Sequence, residues 1–153
     1  MAEQLAYCMD CMEAMRDMPD KAFDLAIVDP EYGRKEHGGK KRSGWVKQKN
    51  GSKIYVSDGG YSKKNWDSKP ADPEYFTELL RVSKSQIIWG INYMPVTFLP
   101  AGRIVWDKCN DGSDQSDCEI AYCSLHDTVR MFRYMWRGMY FGRNNTTREQ
   151  GVK

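Results

Sequence analysis

The stretch Phe23-Asp-Leu-Ala-Ile-Val-Asp-Pro-Glu-Tyr-Gly33 decides the fold that we expect for this chain. It begins with the apolar run 23–28, whose length and flanks favour a buried β-strand over a helix. The run leads directly into a carboxylate, a proline and an aromatic ring. Open α/β sheets bind their ligands at the carboxyl ends of parallel strands. The stretch therefore predicts a ligand-binding edge of a sheet at residues 29–32.

The remaining pattern alternates strands with helices. Residues 5–11 are typical of a short strand, and three methionines at three-residue spacing predict a short amphipathic helix over 11–18. Asp72 followed by Pro73 is an N-cap signal, which predicts a helix over 73–83. Further strands are predicted over 54–56, 86–90, 103–107, 118–124 and 129–136. This order predicts an α/β sheet, and the length of 153 residues predicts a single domain over 1–153.

Residues 34–69 form a basic segment without sustained hydrophobic periodicity. It holds eleven Lys and Arg against three acidic residues, a net charge of +8, whereas the rest of the chain carries −6. Six glycines and four aromatic residues are interleaved with the lysines. We predict a basic flexible loop inside the domain, because such long connections are functional or disordered. A concentrated positive charge favours a polyanionic partner, and a merely solvated loop is the alternative.

The tetrapeptide Asp-Pro-Glu-Tyr occurs twice, at 29–32 and at 72–75. The second copy opens an amphipathic helix, so helix capping explains its Asp and Pro. The first copy follows an apolar strand, precedes the basic segment and caps no evident helix. Its context, and not the tetrapeptide itself, predicts a functional site there.

Several segments resemble DNA N6-adenine/N4-cytosine methyltransferases of the β-type motif order. Residues 29–32 are similar to the DPPY motif of that family, with Glu31 in the place of the second proline. Residues 7–11 resemble the "GDC" segment upstream, and 87–93 resemble "IIWGGNY" downstream. Residues 104–108 and 116–121 are similar to later family segments. The resemblance covers most of the chain and is strongest to phage- and prophage-type adenine methyltransferases.

The resemblance implies transfer of a methyl group from S-adenosylmethionine to the exocyclic amino group of a flipped base, preferentially N6 of adenine. Asp29 and the Pro30 carbonyl would accept hydrogen bonds from that amino group, and Tyr32 would stack on the base. Two acceptors around one nitrogen hold its lone pair toward the methyl group, which is catalysis by positioning. Asp10, Cys11 and Asp29 would bind the cofactor.

The resemblance also implies a partner, double-stranded DNA, in the cytoplasm of a bacterium or a phage-infected host. The basic segment would hold phosphates and help to extrude the base. The DNA-binding residues expected there are Lys40, Lys41, Arg42, Lys63, Lys64 and Trp66.

The fold implied is a partial Rossmann-like, S-adenosylmethionine-dependent methyltransferase sheet. The family's "HPTQKP"-like segment and glycine-rich F-x-G-x-G cofactor loop have no match here, so we expect the C-terminal cofactor half to be missing. This polypeptide alone should then have little activity. The alternative is a catalytically inert DNA-binding fragment or remnant. A third alternative is an interaction module, in which an exposed sheet edge pairs with itself or with a missing C-terminal half.

The sequence argues against metal and membrane functions. Cys8-x-x-Cys11 lacks a second pair at zinc-site spacing, so we expect no metal, and the five cysteines favour reduced cytosolic thiols. No run approaches the roughly 18 apolar residues of a membrane span. The N-terminus lacks the pattern of a secretory signal.

Overall fold

The structure, a computed structural model, describes residues 4–35, 44–47, 51–56, 67–97, 99–109, 116–137 and 140–142. Two compact units make up the chain. Unit 1 comprises Met1–Pro30 and Ala71–Lys153, and unit 2 comprises Glu31–Pro70. Unit 2 thus contains the whole basic segment.

Unit 1 contains both α-helices and most of the strands. Its elements are α1 Cys11–Arg16, β1 Phe23–Val28, α2 Pro73–Val82, β4 Ser83–Trp89, the 3₁₀ helix η1 Ile91–Tyr93, β5 Arg103–Asp107, β6 Cys118–Cys123, β7 Val129–Arg133, β8 Met135–Arg137 and β9 Tyr140–Gly142. Unit 2 contains the antiparallel hairpin of β2 Gly44–Lys47 and β3 Lys53–Val56.

A mixed five-stranded sheet organises unit 1, in the order β1-β4-β6-β5-β7. β1 is parallel to β4, β6 is antiparallel to both β4 and β5, and β7 is parallel to β5. β8 and β9 form a separate antiparallel pair. The predicted α/β class is therefore confirmed, with a sheet that mixes parallel and antiparallel pairs.

The core of unit 1 lies between α2 and the central strands. Phe76, Leu79 and Val82 of α2 are buried at the period of a helix, and Ile88 of β4 is fully buried. β6 contributes three consecutive buried residues, 121–123, so both of its faces are covered. The buried core of unit 1 therefore lies at these central elements, whereas the two edge strands β1 and β7 are more exposed.

Arg81 ties α2 to the segment that leads into β1. Its guanidinium donates to the carbonyl oxygens of Met15 and Met18, at 2.7 and 2.8 Å, and to the carboxylates of Asp20 and Glu78. Glu78 first, and then Asp20, raise the pKa of the Arg81 side chain. One side chain thereby satisfies carbonyls at the end of α1 and fixes the approach to β1.

Most of the predicted elements are confirmed. The helix over 73–83 is observed as α2, with Asp72 at the N-cap and Pro73 in the first turn. The methionine-rich helix is observed as α1, with Met15 buried. The strands predicted over 23–28, 54–56, 86–90, 103–107 and 118–124 all correspond to observed strands.

The prediction that strand 23–28 is buried is wrong. β1 lies at the edge of the sheet, and Phe23, Leu25 and Ile27 are 46%, 42% and 63% exposed. The apolar run predicted a strand correctly, but burial depends on what covers it. Among the described strands, only β4 pairs with β1, and one face of β1 stays open.

Two other strand predictions are corrected. Residues 5–11 form no strand, because the Asp10 carboxylate accepts from the N–H groups of Met12 and Glu13 and so begins α1. The strand predicted over 129–136 is two strands, β7 and β8, which separate at Tyr134. β7 pairs with β5, whereas β8 pairs with β9.

Candidate functional site

The predicted catalytic stretch begins at the carboxyl end of β1. Val28, the last residue of β1, pairs with Ile88 of the parallel strand β4. Asp29 and Pro30 therefore leave the sheet at the edge where β4 also ends. Asp29 is exposed and Pro30 is half-buried. The structure thus places a carboxylate and a proline carbonyl group at the edge of the sheet that the sequence predicted.

The segment after β4 turns sharply at that edge. Gly90 adopts the left-handed conformation, with φ of +67°, and its carbonyl oxygen accepts from the N–H of Tyr93 at 2.9 Å. This turn forms η1, in which Ile91 is buried while Asn92 and Tyr93 are exposed. Two of the segments that resemble the methyltransferase family, 29–32 and 87–93, therefore begin side by side on adjacent parallel strands.

Tyr32 belongs to unit 2, in a turn closed within that unit. Tyr32 forms an isolated antiparallel bridge with Pro70. The N–H of Gly33 donates to Asp67 Oδ1 at 2.7 Å, and the N–H of Lys35 donates to the Asp67 carbonyl oxygen at 2.9 Å. Asp67 is only 3% exposed, and its carboxylate stabilises this turn. The turn after Tyr32 therefore depends on a residue from the far end of unit 2.

Gly33 is required by this turn. Its φ is +71°, and a Cβ there would lie 2.6 Å from both the Cδ and the N of Pro70. Both the backbone angle and the close approach exclude a larger residue. The sequence reasoning missed Asp67, which it counted only as one of three acidic residues in the basic segment. An isolated acid among lysines was the available signal, but its partner lies 34 positions away.

Asp10, a predicted cofactor ligand, is the N-cap of α1. Its Oδ1 accepts from the N–H of Met12 at 2.8 Å and from that of Glu13 at 3.2 Å. Cys11 is exposed at the first position of α1. Both capping bonds use one oxygen, which leaves Oδ2 outside these two bonds. The arrangement is compatible with a ligand that donates a hydrogen bond to the second carboxylate oxygen.

The hairpin of unit 2 presents an aromatic and basic face. Trp45 pairs with Tyr55, and Lys47 pairs with Lys53, so the four side chains share one face of the two-stranded sheet. The rings of Trp45 and Tyr55 meet edge to face at 5.5 Å and are 69% and 57% exposed. We call these four residues the hairpin face. The sequence reasoning missed it, although the period-two spacing of 45, 47 and of 53, 55 was a usable signal.

The six predicted DNA-binding residues, from Lys40 to Trp66, lie outside the residues that the structure describes. Within the described part of the chain, no group of His, Cys, Asp or Glu side chains is arranged to hold a metal ion. All five cysteines are described, and none of them forms a disulfide bond. No helix in the described ranges is both long enough and apolar enough to cross a membrane.

A separate groove of about 370 Å³ lies on the sheet of unit 1. Isoleucine and valine side chains line most of it, together with Asn92 and Arg103. The Arg103 guanidinium donates to the carbonyl oxygens of Pro100 and Gly102 and packs over the ring of Tyr122 at 5.6 Å. None of the sequence-predicted site residues lines this groove.

No protein-family model matches this chain, and a search of curated proteins finds none similar to it.

Proposed function

We propose that this chain acts in DNA methylation, holding a flipped base while a methyl group passes from S-adenosylmethionine to the exocyclic amino group, preferentially N6 of adenine. The observation that carries the proposal is the adjacency of two segments at one edge of the sheet. Because β1 and β4 are parallel neighbours, the segments that begin at Asp29 and Gly90 leave the sheet together. They belong to residues 29–32 and 87–93, which are two of the segments on which the family resemblance rests.

The chain's own residues would position the amino group. Asp29 is an exposed carboxylate at a strand end, and the Pro30 carbonyl follows it at once. Two such acceptors would fix the direction of the nitrogen lone pair, and fixed geometry at the reacting atom is a large part of enzymatic rate enhancement. The family resemblance assigns base stacking to Tyr32, the aromatic residue of the tetrapeptide 29–32.

Asp10 would hold the cofactor through the carboxylate oxygen that the helix cap does not use. S-adenosylmethionine, when bound, supplies a methyl group on a positively charged sulfur. The negative charge of Asp10 and Asp29 is compatible with a cationic ligand. The cytoplasm of a bacterium or a phage-infected host, where both DNA and this cofactor are present, is the location that we propose.

The hairpin face supports the choice of DNA as partner. Exposed aromatic rings beside lysines bind nucleic acids through base stacking and phosphate contacts together. Trp45, Tyr55, Lys47 and Lys53 combine both features on one face of unit 2. The net charge of +8 over residues 34–69 adds the long-range attraction.

A comparison between the two copies of the tetrapeptide tests the proposal. Tritiated S-adenosylmethionine is incubated with the purified chain and unmethylated DNA of mixed sequence, and label in DNA is counted. This chain alone is expected to transfer little label, and whatever transfer exceeds background should fall to background in Asp29→Ala, since misplacement of a reacting group costs about 100-fold. Asp72→Ala is the matched control, because it changes the same residue in the same tetrapeptide at the N-cap of α2. Equal effects of the two variants would refute a site at Asp29.

DNA binding provides an independent measurement, which stays informative when this chain alone transfers few methyl groups. Affinity for duplex DNA should fall with salt on a log–log plot, and Lys47→Gln with Lys53→Gln should reduce the slope by roughly 1.8. Trp45→Ala should weaken binding with little change in slope. Salt-dependent DNA binding without any label transfer would identify the inert DNA-binding alternative, and salt-independent binding would contradict both readings.

A further inference from the structure

Two lysines lie directly opposite one another on the hairpin of unit 2. Lys47 of β2 pairs with Lys53 of β3, and both side chains are exposed. Residues in directly opposed positions have Cβ atoms about 5 Å apart, and like charges placed in this way destabilise a sheet. Residues 44–56 contain no acidic residue, and no ion pair between residues that the structure describes uses either lysine. The two ammonium groups therefore form a site that is complementary to a bound anion.

The aromatic half of the hairpin face lies next to this lysine pair. Trp45 and Tyr55 form the cross-strand pair two residues away from the lysines. The two rings meet edge to face, with 5.5 Å between their centroids and 69° between their planes. This contact limits the motion of the Trp45 ring, while 69% of Trp45 stays exposed. A ligand that stacks on Trp45 therefore meets a ring that is already held in position, which lowers the entropy cost of binding.

The spacing between the two halves of the hairpin face fits one nucleotide. Side chains that follow one another on the same face of a strand are about 7 Å apart, and a single nucleotide spans a similar distance from its base to its phosphate. A base that stacks on Trp45 would therefore place a phosphate between Lys47 and Lys53. Inside a paired duplex, neighbouring bases cover both faces of each base. Only a base that has left the stack can offer a face to the ring.

We propose that the hairpin face binds an unpaired nucleotide of a DNA strand, with its base on Trp45 and a phosphate between Lys47 and Lys53. The inference rests on the proposed function for the choice of DNA, and it adds which state of the strand the hairpin takes. Charge attraction alone favours the opposite state, because a duplex carries about twice the negative charge of one strand per unit length. A preference for unpaired bases therefore measures stacking, and charge does not account for it.

Two strands of equal charge separate stacking from charge attraction. A short strand of thymidines is compared with an abasic strand of the same length, which keeps the phosphates but carries no bases. Fluorescence anisotropy of the end-labelled strands gives the Kd of each for the full chain. The thymidine strand should bind about fivefold more tightly or better, because stacking of one base on an aromatic ring contributes at least this factor. Equal binding of the two strands by the wild-type chain overturns the inference and leaves DNA as the proposed partner.

Substitutions on the two faces of the hairpin locate the base. Trp45→Ala should remove most of the preference for the thymidine strand and leave the affinity for the abasic strand unchanged, and Trp45→Phe should keep most of the preference. Ile54→Ala is the matched control, because Ile54 lies on the opposite face of the same hairpin and is 44% exposed. Equal loss of the preference in Trp45→Ala and Ile54→Ala overturns the assignment to the hairpin face.

Annealing the thymidine strand to its complement covers the faces of its bases. Trp45→Ala should therefore weaken binding of this duplex less than it weakens binding of the single strand. An equal loss for both overturns the preference for an unpaired base. Absence of salt-dependent binding to all of these DNAs would refute DNA as the partner, and with it both the proposed function and this inference.

A charge reversal tests the phosphate site. Lys47→Glu places opposite charges across the two strands, so it should leave Tm unchanged or raise it. The same variant should weaken binding of the thymidine and abasic strands alike, because both carry the phosphate. Arg130→Glu is the control: it changes the net charge equally, at an exposed position on β7 of unit 1, and should weaken binding much less. Equal weakening by Lys47→Glu and Arg130→Glu overturns the phosphate site at the lysine pair.

Discussion

We predict that Gly102→Ala destabilises the sheet of unit 1 through a single methyl group. An alanine Cβ there would lie 2.0 Å from the carbonyl oxygen of His126 and 2.2 Å from that of Cys123, where ordinary contact begins at about 3.4 Å. Both atoms are backbone atoms that cannot swing aside. The Cys123 N–H donates to the Gly102 carbonyl at 3.1 Å, and the Arg103 N–H donates to Thr128 at 3.0 Å. To relieve the clash, Gly102 and the segment 123–128 would have to move apart by more than 1 Å, which would break these hydrogen bonds.

The expected cost combines overpacking, at roughly 1–3 kcal/mol, with about 1 kcal/mol for a weakened hydrogen bond. A loss of about 3 kcal/mol corresponds to a fall in Tm of roughly 6–12 °C for a chain of this size. Urea denaturation followed by circular dichroism measures the loss. Gly44→Ala is the control, because among the described residues nothing beyond the adjoining chain would lie within 4 Å of an added Cβ. A Gly102→Ala protein within about 0.5 kcal/mol of the Gly44→Ala protein would refute the reasoning.

Three further predictions concern single residues of unit 1. Phe76→Ala removes a fully buried ring and should cost about 3–5 kcal/mol in urea denaturation, whereas the exposed Glu74→Ala should cost little. Asp10→Ala should lower the free energy of unfolding by about 1 kcal/mol through loss of the helix cap, whereas Asp10→Asn should keep most of it. Calorimetry of cofactor binding by Asp10→Asn therefore measures the effect on the ligand without loss of the cap. Equal stability of the two variants would contradict the capping role. The pKa of Asp107 is lowered from 3.8 by the N–H of Cys109 and then by Arg133, so its stabilisation is present above pH 3.8 and is lost as the pH falls through the lowered value. Asp107→Asn should therefore flatten the decline of Tm as the pH falls below about 4, and an unchanged slope would contradict this assignment.

The elements that sequence predicted correctly are those whose signals are local. α2 was predictable because Asp72 and Pro73 mark its start and Phe76 and Leu79 follow at helical spacing. Residues 5–11 were predicted wrongly, because the hydrogen bond that the Asp10 carboxylate accepts from the N–H of Met12 begins a helix and outweighs a short apolar pattern. Strand and helix signals that span a few residues can be recognised from the sequence. A side-chain cap acts over the same distance and can overrule such a signal.

Features that depend on distant partners could not be predicted. The apolar run of β1 indicated a strand, but its exposure depends on strand order, which pairs β1 with a strand about 60 positions away. The turn at Gly33 depends on Asp67, and nothing near either residue reveals the other. The candidate site was therefore predictable in its position at the end of a strand, but not in the contacts that support the turn after it.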